Sequence, residues 1–330
     1  MFRKSLAALA ISALVPVAAY ADNRELLAII AREARESESD SVMIVQNGEV
    51  VFSEFYGEAD RPRNVQSVTK SVCAMAIMIL LEEGKIESLD VPMTRWFPSW
   101  SNDPMKSKIT LGMILNNTSG LPDTQARQSD PPGAISMPDF FANDDLVKTA
   151  AEAPLNTIPG LRFMYSSLGA SLLQPVIKEA SGQSVTAFVQ AKIFDKLEIM
   201  DAYWRFDRAG QETTSGGLFL STHDLVKIGQ LMLGQGTFEG RQVFSRESAR
   251  RMTAKSQPFR DYGLLWWIDY KPTETSGGLI AAHGWGGQYI AILPEKNLVA
   301  VRTKDPYILN EFEVDRYRFR DFIDLVYWWE

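Results

Sequence analysis

The sequence has one cysteine, Cys73, and only two histidines, His223 and His283. A single thiol excludes a disulfide within the chain, and so few thiols and imidazoles leave almost no soft or borderline metal ligands. No Gly-x-Ser-x-Gly elbow occurs, so an α/β-hydrolase has no place for its nucleophile. An excess of positive charge is missing too: the net charge of -7 argues against nucleic acid as a partner. Beyond the first two dozen residues no apolar run is long enough to span a bilayer. Repeats and low-complexity tracts are also missing.

What is present begins with an export pattern. Arg3 and Lys4 precede an apolar run from Leu6 to Ala18, and Ala19-Tyr20-Ala21 has the small-x-small form of a cleavage site. The expectation is a signal peptide over residues 1–21, a mature chain from Asp22, and a periplasmic or secreted product. A membrane anchor is the competing reading, but the apolar run is too short to span. With 330 residues and 45% hydrophobic content, the chain can build a large core or two subdomains.

Residues 41–57, SVMIVQNGEVVFSEFYG, form two β-rich runs around Asn47-Gly48, a dipeptide suited to positive φ at both centres of a type I′ turn. Every position from Val72 to Leu81 is apolar, which predicts a helix buried on all sides, with Gly84 as its C-terminal stop. From Leu89 to Phe206 short helical pieces alternate with Pro, Gly, Asn and Ser loops. Strand signals return at Tyr262 as YGLLWWI, LIAAHGWGGQYIAIL and LVAVRTK, with Pro294 to Asn297 as a turn, and residues 318–328 predict a closing amphipathic helix. The expected fold class is α+β. One antiparallel sheet is completed by both chain ends, in a discontinuous domain of residues 22–88 and 214–330, with residues 89–213 as a mostly helical lobe.

The chemistry centres on Gln66-Ser67-Val68-Thr69-Lys70. Ser67 and Lys70 share one face of a helical turn, so hydroxyl and amine can meet. Lys70 also leads into the all-apolar segment, where burial and the positive end of the helix dipole both favour a neutral amine. A neutral amine beside a serine hydroxyl is a nucleophile with its base. The plain alternative makes Ser67 a helix N-cap and Lys70 a solvated first-turn residue. His223, in Ser221-Thr222-His223-Asp224, is expected to be structural, with Ser221 or Thr222 capping the next helix.

The run SVTKSVCAMAIMILLEEGKIESLDVPMTRWFP followed by ILNNTSGLPD resembles the nucleophile helix and following loop of the class C β-lactamase-like serine hydrolases. That group includes penicillin-binding proteins, esterases and 6-aminohexanoate-oligomer hydrolases. FMYSSLGASLLQPVIKEASGQSVTAFVQAKIF, SGGLFLSTHDLVKIGQLML, YGLLWW and HGWGGQYIAILPEKNLVAV follow in the matching order, so the resemblance covers roughly residues 40 to 305. It implies a β-lactamase/transpeptidase-like fold and an acyl-enzyme on Ser67, with Lys70 as base and no cofactor.

The resemblance further implies a second motif at Tyr165-Ser166-Ser167, with Tyr165 relaying the proton and Ser167 standing where relatives keep an asparagine that meets substrate. A third motif falls on Ala282-His283-Gly284, where the cation of penicillin-recognising relatives is missing or displaced. The Ser67 and Trp285 amides are the implied oxyanion donors, and Ser167, His283, Gly284 and Gly286 the implied substrate-binding positions. A bend that serves only packing is the alternative for Gly286 and Gly287. Trp96, Trp100, Trp204, Trp266, Trp267, Trp285 and Tyr289 are candidates for an apolar acyl pocket. The expected substrate is a small ester or amide. A lactam or a cell-wall D-peptide is the rival, and a non-catalytic penicillin-binding or sensor protein is a second.

Overall fold

The structure is a computed structural model that describes residues 23–57, 59–122, 137–259, 261–268 and 278–305, together with Phe322 and Val326. Helix α1 (Asn23–Glu36) leads into strands β1 (Ser41–Gln46), β2 (Glu49–Phe55) and the short β3 (Arg63–Asn64), followed by helix α2 (Val68–Glu82). A succession of short helices comes next: α3 (Leu111–Leu115), α4 (Met137–Phe141), α5 (Leu146–Glu152), α6 (Ser167–Ser171), α7 (Leu173–Ser181) and α8 (Val185–Val189). Strands β4 (Tyr203–Trp204) and β5 (Leu218–Leu220) precede helix α9 (Thr222–Leu233), the two-strand ribbon β6 (Thr237–Phe238) and β7 (Arg241–Gln242), and helix α10 (Arg246–Met252). The chain returns to the sheet through β8 (Trp267–Ile268), β9 (Ile280–Gly284), β10 (Gln288–Leu293) and β11 (Leu298–Thr303).

The main sheet has six strands in the order β2-β1-β11-β10-β9-β8, with antiparallel pairing throughout. Front and back of the chain therefore complete one sheet, as the strand signals predict. Asn47 and Gly48 have φ of 54° and 82°, the two positive values a type I′ turn needs. The Pro294 turn is a short 3-10 stretch that ends with Asn297 at φ 48°.

Period-two alternation divides the sheet into two faces. Met43, Val45, Ala282, Ile290, Ile292, Val299 and Val301 pack in one core with α2 and α9. Val42, Ile44, Ala281, Tyr289, Ala291, Leu298 and Ala300 pack in the other against Leu26, Ile30 and Ala34 of α1. The spacing of those three residues, four apart, is one stripe of a helix, an element the sequence reading did not anticipate. The predicted closing helix at 318–328 lies outside the described residues except for Phe322 and Val326, both buried in this second core.

Helix α2 runs through the larger core and is buried at every residue from Val68 to Leu80. It starts four residues earlier than its apolar run suggests, because Thr69, Lys70 and Ser71 are buried as well. At its end Gly84, at φ 66°, lets its own N–H reach the Leu81 carbonyl and that of Lys85 reach Leu80, a Schellman stop. Each large apolar side chain buried here contributes roughly 1.5–3 kcal/mol, which lets the helix carry one buried lysine. Helix α9 lies close on β11: a Cβ on Gly229 would come within 2.4 Å of the Val299 side chain.

Candidate active site

The chain enters the site through β3, which pairs with β5, and the Val65 N–H donates to the Leu218 carbonyl at 3.0 Å. Gln66 then takes a left-handed conformation at φ 51°, its N–H donating to Asn64 Oδ1 at 2.9 Å. The Gln66 carbonyl accepts from Thr69 Oγ1 at 2.6 Å, and that hydroxyl accepts from the Leu218 N–H at 3.1 Å. This turn holds Ser67 at the N-cap of α2, half-buried. Ser67 makes no capping bond with its side chain. Its Oγ instead accepts from Lys70 Nζ at 2.8 Å, so the plain N-cap reading does not hold.

Lys70 is 1% exposed. Its amine also donates to the Ser215 carbonyl and lies 5.3 Å from the centre of the Tyr165 ring. Burial lowers its pKa to about 7, against a small opposing contribution from Cys73. A lysine without burial is cationic near neutrality, whereas here neutral and charged forms coexist. The Ser215 carbonyl orients the amine without returning it to full charge.

Buried hydroxyls brace this arrangement from behind. Ser171 Oγ donates to Ser215 Oγ at 2.9 Å and lies 3.0 Å from the Ser167 carbonyl. Thr214 Oγ1 donates to the Ala170 carbonyl at 2.9 Å. The 213–217 segment is thereby tied to α6, the helix that follows Tyr165. Ser215 did not emerge from the sequence as a site residue; the signal was its place at the head of SGGLFLST, a matching stretch whose backbone role no spacing rule exposes.

Tyr165 is buried and gripped by aromatic rings. It stacks on Trp267 at 5.8 Å and 19°, and meets Tyr262 edge-on at 6.4 Å and 89°. Phe163 stacks on Phe259 at 4.4 Å and lies 6.2 Å from Trp267. Of the aromatic candidates, Trp96, Trp100, Trp204 and Trp266 are buried in the core and Tyr289 packs on the far sheet face, while Trp267 is half-buried and Trp285 is 50% exposed. The half-buried aromatic wall is therefore Phe163, Phe259 and Trp267.

The third-motif strand passes close to the nucleophile turn. A Cβ on Gly284 would come within 2.4 Å of the Val65 carbonyl, so only glycine permits this approach. Gly286 and Gly287, at φ 77° and 95°, turn the chain into β10 after Trp285. Among the described residues, neither the Ser67 N–H nor the Trp285 N–H donates to another backbone carbonyl.

Ala282 packs in the α2 core, and its neighbour His283 takes the opposite face of β9, where its ring lies 5.1 Å from Tyr289. Ser167 is fully buried in the first turn of α6, beside the Ser166 N-cap. His223 is structural, as expected: Ser221 and Asp224 form the capping box of α9, and His223 Nδ1 lies 2.5 Å from Asp60 Oδ2. The Asp60 carboxylate also accepts from the Thr222 and His223 N–H groups.

Comparison with known proteins agrees with this geometry. Residues 27–318 match the Beta-lactamase family. Esterase EstB of Burkholderia gladioli is 30% identical over a stretch spanning 48% of this chain and 45% of that protein. The 6-aminohexanoate-dimer hydrolase of Paenarthrobacter ureafaciens is 23% identical over 81% of this chain and 73% of its own. The crystal structure of a penicillin binding protein from Bacillus halodurans superposes with a TM-score of 0.67 at 18% identity, covering 84% of this chain and 95% of that one. The fold is β-lactamase/transpeptidase-like, and the chain belongs to the Beta-lactamase family as a serine hydrolase.

Proposed function

We propose that this protein is an exported hydrolase that cleaves a small ester or amide through an acyl-enzyme on Ser67. The observation that carries the reading is the contact between Lys70 Nζ and Ser67 Oγ, 2.8 Å, with burial holding the amine near half-neutral at pH 7. Lys70 takes the Ser67 proton as Oγ bonds to the substrate carbonyl carbon. The Ser67 and Trp285 N–H groups hold the resulting oxyanion. Tyr165 gives its phenolic proton to the departing oxygen or nitrogen and regains one from Lys70. Water then attacks the acyl carbon, loses its proton to the same pair, and releases the acid with Ser67 restored.

The ester or amide branch is supported by what the site withholds from a β-lactam. A buried Ser167 offers no amide to a lactam side chain, and Ala282 leaves the strand without a cation for its carboxylate. The half-buried wall of Phe163, Phe259 and Trp267 suits an apolar acyl group. Turnover of a nitrophenyl ester set against a chromogenic cephalosporin tests the choice: faster ester turnover supports it, and efficient cephalosporin hydrolysis overturns it. Export is tested by fractionation, with mature protein beginning at Asp22 outside the cytoplasm. Among the described residues no helix is long and apolar enough to cross a membrane.

A further inference from the structure

Tyr165 must present its hydroxyl to a leaving group, yet it sits on an irregular stretch before α6, where no regular ladder fixes its direction. Asn117, in the ILNNTSGLPD run, does this from beneath. Its backbone carbonyl accepts the Met164 N–H at 2.8 Å and its side-chain Oδ1 accepts the Ser166 N–H at 3.0 Å. The two residues that flank Tyr165 are thus held by the two oxygens of one asparagine. Asn117 reaches both only because it stands at φ 58°, the left-handed region that asparagine tolerates better than most residues. Asn117 is 2% exposed, and among the described residues its Nδ2 completes no full hydrogen bond. That amide nevertheless lies near enough to the Tyr262 phenol to oppose the rise that burial and Tyr165 impose on it.

The surrounding run is built to keep Asn117 in place. Ser166 Oγ donates to the Pro122 carbonyl at 2.8 Å, and the Gly160 N–H to the Thr118 carbonyl at 2.7 Å. Gly120, at φ 84°, lies so close to the Thr157 carbonyl that a Cβ would come within 2.4 Å of it. Loop and Tyr165 segment are therefore one packed unit.

We infer that Asn117 is the positioning residue for Tyr165, clamping the backbone on both sides so that the phenol is aimed at the leaving group. The inference rests on the reading of Tyr165 as the proton donor to that group. Its test is a pair of esters with one acyl group and two leaving groups, a nitrophenol and a simple alkanol. Nitrophenolate departs without a proton, whereas an alkoxide needs one. In Tyr165→Phe, kcat/KM for the alkyl ester is expected to fall about 100-fold and that for the nitrophenyl ester no more than about 5-fold, within the usual range of general-acid catalysis. Asn117→Gly keeps the left-handed backbone and removes only the side chain, and the same split is expected, with the alkyl ester losing about 30-fold. Asn117→Asp keeps the oxygen that receives Ser166, so its ratio between the two esters is expected to stay within about 3-fold of the wild type. Equal losses on both esters in Asn117→Gly, or no loss, overturn the positioning role. If Asn117→Gly does not fold, a split in Asn117→Asp as large as that in Tyr165→Phe overturns it, and a wild-type ratio supports it. A Tyr165→Phe enzyme without the split overturns the proton-donor reading itself.

Discussion

Lys70 Nζ stands 2.8 Å from Ser67 Oγ on a helix that is buried from Val68 through Leu80. Neither residue is unusual alone; what matters is that, among the described residues, this amine donates to a serine hydroxyl and to the Ser215 carbonyl and to no carboxylate. A carboxylate there would hold the lysine cationic.

The first consequence is a pH profile. Lys70 must be neutral to accept the Ser67 proton, and burial brings its pKa down to about 7. Acylation, read as kcat/KM for an ester, is therefore expected to rise about tenfold per pH unit below that point and level off above it. A flat profile between pH 5 and 9 contradicts the assignment of Lys70 as the base.

The same burial has a stability signature. Lowering the Lys70 pKa from 10.5 to about 7 means that the unfolded chain binds more protons than the folded one between those values, so folding becomes more favourable as pH rises through this window. The penalty, on the order of several kcal/mol, is present in full below pH 7 and gone above about 10.5. Lys70→Met removes it, and its advantage in melting temperature over the wild type is expected to be largest at pH 6 and to shrink by pH 9. Parallel melting curves at all pH values speak against a neutral buried amine.

Gly284 is expected to be intolerant of even a methyl group, since a Cβ would lie within 2.4 Å of the Val65 carbonyl. Gly284→Ala must move β9 away from the nucleophile turn, at about 1–3 kcal/mol of stability. The Trp285 amide moves with it, and loss of an oxyanion donor lowers kcat by about 100-fold or more. Steady-state kinetics beside a melting curve check this: full activity in a folded variant removes the Trp285 amide from the mechanism.

Trp267 is expected to act on two properties, because it both stacks on Tyr165 and forms part of the half-buried aromatic wall. Trp267→Ala is predicted to lower kcat/KM for an aryl-acyl ester about tenfold more than for an acetyl ester, the scale of a lost apolar contact. Equal losses on both esters place the acyl pocket elsewhere.

Much of this site was legible because it is local. Asn47-Gly48 announced its hairpin through positive φ, and Ser67 and Lys70 were linked by one helical turn, with the apolar run behind them declaring burial. The Ser215 carbonyl was hidden because it meets Lys70 across 145 residues and is a backbone group any residue could supply. The direction of the His283 side chain is illegible for a different reason. On a strand, one position of register changes the face, and the glycine that follows says nothing about which side its neighbour takes. Helix α1 is hard to read from sequence because its buried stripe of Leu26, Ile30 and Ala34 follows directly on the apolar export pattern, which masks its period.

The most direct test of the account is the identity of the nucleophile. A fluorophosphonate probe followed by intact-mass analysis is predicted to leave one adduct on the wild-type protein, mapped to Ser67, and none on Ser67→Ala. An equal adduct on Ser67→Ala, or none on the wild type, contradicts it.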